Sequence, residues 1–170
     1  GTWRLAADKV GAILLVPQGT YKLEGDHYQW GRDLDTIEEN VMDAIDKVMD
    51  KQSINKKKVV LAGFSQGATA SWNLATRNPD TFCGLIPVAG NFEPESDSVF
   101  DDEQLKKLRI FIMVGQDDQE NIVSGSKTLA KRFEKLGSKV KIKVYDGVAH
   151  AFPDDATDEQ AKALKFVLGE

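Results

Sequence analysis

Val59-Val60-Leu61-Ala62-Gly63-Phe64-Ser65-Gln66-Gly67 is the stretch that decides the fold. Its opening apolar run fits a strand buried on both faces, as the strands of a parallel sheet are. The Gly-x-Ser-x-Gly pattern that follows turns the backbone sharply and raises the serine at the tip before a helix begins. Glycines on either side leave room where a Cβ would clash with the neighbouring strand and helix. The pentapeptide alone is a weak pattern, because small residues often surround a serine. The buried strand in front of it makes it specific.

Strand-like and helix-like segments alternate on both sides of this elbow. Upstream, Leu5 to Val10 reads as the end of a helix. Gly11 to Val16 is a continuous apolar run closed by Pro17 and Gly19, and is expected to be a strand buried on both faces. Asp33 to Asp50 carries Ile37, Val41, Ile45 and Val48 at helical spacing. Downstream, a helix is expected from Gln66 to Thr76, stopped by Asn78-Pro79-Asp80. Gly84 to Gly90 reads as a buried strand in spite of Pro87, and Arg109 to Val114 as a cleaner one. Ser126 to Leu136 is expected to be a helix ended by Gly137.

Lys139 to Tyr145 alternates lysine with Val140, Ile142 and Val144, the mark of an edge strand with one wet face. Thr157-Asp158-Glu159-Gln160 has a capping-box pattern and is expected to open the last helix. The acidic stretch Asn91 to Glu103 is expected to be either a solvated loop or a small cap over a site. Repeated strand–helix alternation gives an α/β class: a mostly parallel sheet with helices on both faces. With 170 residues and no repeat, low-complexity tract or linker, the chain is expected to be one domain across 1–170.

Composition narrows the function classes. Apolar content of 41% and charged content of 29% describe an ordinary globular protein. The net charge of −5 argues against nucleic acid, and the single basic run, Lys56-Lys57-Lys58, reads as a solvated turn. The lone Cys83 allows no internal disulfide and is expected to pack as a small core residue. No apolar stretch approaches the ~18–20 residues of a membrane span. A cytoplasmic location is the expectation, while the sequence opens with Gly1 rather than Met, and a processed or truncated start of that kind would hide a signal segment. Two histidines and one cysteine form no recognisable metal-ligand spacing, so no metal is expected.

In an open parallel sheet, sites form beyond the carboxyl ends of the strands. Ser65 follows one strand, Asp117 and Asp118 follow the strand ending at Val114, and His150 follows the one ending at Tyr145. A serine hydroxyl is a poor nucleophile until an imidazole takes its proton, and histidine titrates near neutrality. A carboxylate then fixes the imidazole's tautomer and stabilises the imidazolium. The expected set is Ser65, His150 and Asp118, with Asp117 as a turn residue. The backbone N–H of Gln66 is expected to donate to the oxyanion, helped by the helix it opens. His27 lacks a strand-end position and reads as a surface or pocket-rim residue. Trp30 and Trp72 read as core aromatics before acyl-pocket walls.

On Gly63-Phe64-Ser65-Gln66-Gly67-Ala68, Gly115-Gln116-Asp117-Asp118 and Gly147-Val148-Ala149-His150, the chain resembles the carboxylesterase/phospholipase/acyl-protein thioesterase group of α/β-hydrolases. The same pieces are similar to feruloyl-esterase and polyester-depolymerase-like groups. The resemblance covers nearly the whole chain from about Leu5. It implies a cofactor-free serine hydrolase acting on small-molecule or acyl carboxylic esters or thioesters. It also implies a departure. The family fold supplies earlier strands and a His-Gly-type loop whose N–H completes the oxyanion hole, and nothing here resembles that loop. The retained strands resemble the fourth to eighth of the family sheet, so a strand is missing between the first two of them. Three arrangements would meet this: a fragment of a longer enzyme, a variant in which the first retained strand shifts into the gap, or a second chain, for instance in a dimer, supplying the strand. A non-catalytic or impaired domain is the alternative function, and a flavodoxin-like binding domain has only a poor phosphate loop in Pro17-Gln18-Gly19-Thr20.

Overall fold

A computed structural model describes residues 1–91 and 102–170. The sheet is built from Val60–Phe64 (β3), Gly84–Val88 (β4), Arg109–Gly115 (β5) and Lys139–Tyr145 (β6), all parallel in the order β3-β4-β5-β6. A short antiparallel hairpin, Tyr21–Lys22 (β1) with Tyr28–Gln29 (β2), stands apart from it. The helices are Thr2–Lys9 (α1), Leu34–Met49 (α2), Gln66–Arg77 (α3), Asp102–Leu105 (α4), Glu120–Leu136 (α5) and Ala156–Leu168 (α6).

The period-two alternation of β5 shows how the layers form. Ile110 and Ile112 point into a core with Ile37 and Val41 of α2, Leu74 of α3 and Phe133 of α5. Phe111 and Met113 point the other way, into a core with Ala6 of α1 and Leu164 and Val167 of α6. Both faces of the sheet are therefore covered, which is why its central strands read as unbroken apolar runs. Pro87 has no N–H to donate. Accordingly, β4 pairs with β5 at Gly84–Arg109 and Leu85–Ile110 and resumes only at Val88–Met113. On the edge strand β6, Lys139 and Lys141 are exposed, as the lysine alternation implies.

The first expected strand is corrected. Gly11 to Val16 forms no strand, and Ile13, Leu14 and Val16 are exposed at 58%, 42% and 76%. It therefore does not shift to fill the gap beside β3. A parallel strand is held by its neighbours' hydrogen bonds, and Gly11 to Val16 makes none with β3, whose outer edge stays open. The final helix is also corrected: it opens at Ala156 with Asp155 at its N-cap, so Thr157 lies inside it rather than capping it. Helix α5 begins six residues before its expected start at Ser126. At α2 the reading holds closely, because Asp33 caps the helix by accepting from the Thr36 N–H at 3.2 Å. The loop or cap expected over 91–103 falls almost wholly outside the described residues. Among the described residues, no helix is long and apolar enough to cross a membrane.

Candidate active site

Ser65 stands between β3 and α3 with φ 53° and ψ −119°, a conformation rare for a residue with a side chain. Two features hold it there. Its N–H donates to the Val88 carbonyl of β4 at 2.9 Å. The absence of a Cβ at Gly63 lets the chain fold back, since a Cβ there would lie 2.1 Å from the Gly67 carbonyl oxygen. Gly67 is less constrained than the motif implies: a Cβ would meet the Trp30 Nε1 at an ordinary 3.5 Å.

The other expected residues arrive on the neighbouring strand ends. His150 Nε2 lies 2.9 Å from Ser65 Oγ, and its Nδ1 lies 3.0 Å from Asp118 Oδ2 and 3.1 Å from Oδ1. The Asp118 side chain is fully buried, whereas the imidazole is 35% exposed on the side open to solvent. Asp118 Oδ1 also accepts from the Gln119 N–H at 2.7 Å, which fixes the carboxylate plane. Asp117 is exposed, and its backbone N–H donates to the Val148 carbonyl of the His150 loop at 2.9 Å. That loop lies so close to β5 that a Cβ on Gly115 would fall 2.1 Å from the Val148 carbonyl oxygen. Phe64 sits under the imidazole with ring centroids 5.0 Å apart.

Gln66 is the first residue of α3, so its N–H has no intrahelical acceptor and is free for a ligand oxygen at the positive end of the helix. Its side chain does something the sequence did not announce. Gln66 Oε1 accepts from the Trp30 N–H at 3.0 Å and ties the β1–β2 region to the elbow. Trp30 therefore borders the elbow beside Gly67, while Trp72 is buried core stacked edge-on to Phe133 at 5.2 Å. His27 is exposed in the β1–β2 turn, where its carbonyl accepts from the Leu23 N–H at 2.8 Å. Burial raises the Cys83 thiol above its ordinary pKa, which suppresses the thiolate. Among the described residues, no group of three or more His, Cys, Asp or Glu could hold a metal ion.

A model of the dienelactone hydrolase family matches residues 25–167. The chain belongs to that family. Two relatives are the protein usf of Aquifex pyrophilus, 31% identical over 133 residues, and acyl-protein thioesterase 1 of Debaryomyces hansenii, 28% identical over 166. The matches cover 71% and 90% of this chain, and 54% and 70% of the relatives, so the chain spans about half the length of the first. Among solved structures, an uncharacterised protein of Bacillus cereus superposes with TM-score 0.82 at 19% identity, over 97% of this chain and 54% of that one. A Mesorhizobium loti carboxylesterase gives TM-score 0.75 at 16% identity, over 94% and 78%. At such identities the likeness shows the fold, which is that of the α/β-hydrolase esterases.

Proposed function

We propose that this member of the dienelactone hydrolase family cleaves carboxylic esters or thioesters through an acyl-enzyme on Ser65. The supporting observation is the unbroken line of contacts from Ser65 Oγ to His150 and on to the buried Asp118. Ser65 Oγ attacks the acyl carbon as His150 Nε2 accepts its proton, and Asp118 stabilises the imidazolium. The Gln66 N–H donates to the oxyanion. His150 then protonates the leaving alcohol or thiol, and a water activated by His150 releases the acid and frees Ser65. A dienelactone is a cyclic ester and an acyl-protein thioesterase cleaves a thioester, so the relatives' names fall within this chemical class.

An impaired domain is the second reading, favoured by the lack of any motif that would supply another oxyanion donor. Losing one such donor costs about 10²–10³ in turnover. A second copy of the chain is the proposed source. Gly11 to Val16 has strand-forming sequence but no strand partner, and β3 has an open edge.

Hydrolysis of p-nitrophenyl acetate and butyrate, read against chain concentration beside Ser65→Ala, tests all of this. Serine-dependent turnover that rises per chain as dimer forms is expected. Full activity in a monomer overturns the second copy, and no serine-dependent turnover from folded protein overturns the hydrolase.

A further inference from the structure

His150 rides on the loop Asp146–Asp155, between the end of β6 and the start of α6. Most of that loop borders open space: a cavity of about 600 Å³ is lined by Lys143 to Ala149 and by Ala151 to Asp154. Away from that open side, the loop is held to the rest of the fold by tethers. Two lie on the side of the site. The Gln116 and Asp117 N–H groups donate to the Tyr145 and Val148 carbonyls, each at 2.9 Å, and Phe152 packs on Phe64 with centroids 4.9 Å apart.

The third tether lies at the base of the loop. Glu159 is only 1% exposed yet carries a carboxylate. It accepts from Tyr145 Oη at 2.9 Å, from Lys143 Nζ, and from Lys162 Nζ at 2.6 Å. Lys143 and Tyr145 are on β6 and Glu159 is on α6, so the cluster joins the two ends of the His150 loop. Helix α6 already adheres to the sheet through buried Ala163, Leu164 and Val167. Docking the helix therefore gives no reason to bury a charge, which costs several kcal/mol per ion before its partners compensate.

We propose that Glu159 is a positioning residue that closes the base of the His150 loop and so sets His150 Nε2 against Ser65 Oγ. Fixing the two ends of a loop removes most of its freedom, and a misplacement near 1 Å at a reacting group can cost about 10²-fold in rate. In its catalytic consequence the proposal rests on the serine-hydrolase function. In its structural consequence it does not.

The test compares the parent, Glu159→Gln, the milder Tyr145→Phe, and Arg77→Ala as a control. Arg77 binds Asp35 and Glu38 between α2 and α3, far along the chain from the loop. Glu159→Gln is expected to lower kcat and the rate of fluorophosphonate labelling about tenfold with KM unchanged. Tyr145→Phe should lower them by a smaller factor, and Arg77→Ala should lower thermal stability but not kcat. The downfield proton resonance of His150 Nδ1–H should broaden or shift in Glu159→Gln alone of the charge variants. Folded Glu159→Gln with parental kcat and an unchanged resonance overturns the proposal, as does a Tyr145→Phe protein indistinguishable from the parent if Glu159→Gln fails to fold. A parent without serine-dependent turnover whose His150 resonance still responds to Glu159→Gln sinks the hydrolase and leaves the positioning role standing.

Discussion

From Val60 onward each apolar run expected as a strand is paired in the sheet, and the central strands β4 and β5 are buried, whereas the equally apolar Gly11 to Val16 lies open. Ile112 of β5 is 0% exposed and Ile13 is 58% exposed, though both sit in runs that read alike. The exposed large apolar side chains among the described residues all fall between Leu5 and Tyr28. From this region α1 places Ala6 in the core on the α6 side of the sheet, and Leu15 packs partly buried against the core on the other side. The contrast teaches that an apolar run specifies what a segment can become, while actual pairing and cover from the rest of the fold decide whether it does.

The largest effect that would break this contrast is in the core of β5. Ile112→Ala removes a fully buried side chain and is expected to cost about 2–5 kcal/mol in denaturant unfolding. Ile13→Ala should change stability by no more than about 0.5 kcal/mol. If Ile13→Ala proved as costly as Ile112→Ala, the first segment would be buried in solution after all, and a concentration-dependent midpoint would identify a second copy as what covers it.

Within the elbow, the same reasoning separates two glycines that the motif treats alike. Gly63→Ala places a Cβ 2.1 Å from backbone and should cost about 3 kcal/mol or more, with loss of Ser65 labelling. Gly67→Ala meets only the Trp30 indole at 3.5 Å in a helix that favours alanine, so a change within about 1 kcal/mol and retained labelling are expected. Equal losses in the two variants would show that the backbone of the first turn of α3, and not the close approach at Gly63, is what the elbow requires.

The juxtaposition of the three candidate residues was legible in the sequence. Ser65, Asp118 and His150 each follow an apolar strand, and a parallel sheet brings such strand ends together. The four-stranded sheet could be read because its members are long, apolar and bounded by turns. The β1–β2 hairpin was missed because its strands are two residues each, although Gly25, with φ 69° in the intervening turn, was the available signal. The early start of α5 was missed because Glu120 and Asn121 are polar, and only Ile122 extends the buried stripe backward. Glu159 was hidden for a different reason. Within Thr157-Asp158-Glu159-Gln160 it looked like part of a cap, and its real partners lie 14 and 16 residues earlier on β6.

That tetrapeptide also allows the finest comparison, between two adjacent carboxylates facing the two regions. Asp158 is exposed and pairs with Lys9 of α1, which lowers its pKa, but solvent and salt screen the pair. Glu159 is buried against β6. Burial pushes its carboxyl upward, and the bonds from Lys143, Lys162 and Tyr145 together outweigh that and bring it from 4.5 down to about 2. A carboxylate with a depressed folded pKa contributes stability that is fully present above its unfolded value and is lost as pH falls through the folded one. The Glu159 contribution is therefore expected to disappear between about pH 4.5 and pH 2. Over that window Glu159→Gln should flatten the fall of the unfolding midpoint with pH, and the flattening should persist at high salt. Asp158→Asn should have a smaller effect that salt removes. If the two variants flattened the acid limb equally, the buried cluster at the base of the His150 loop would be no stronger than a surface pair, and the division between a tightly held C-terminal site and a loosely held N-terminal region would fail at the point where α6 touches both.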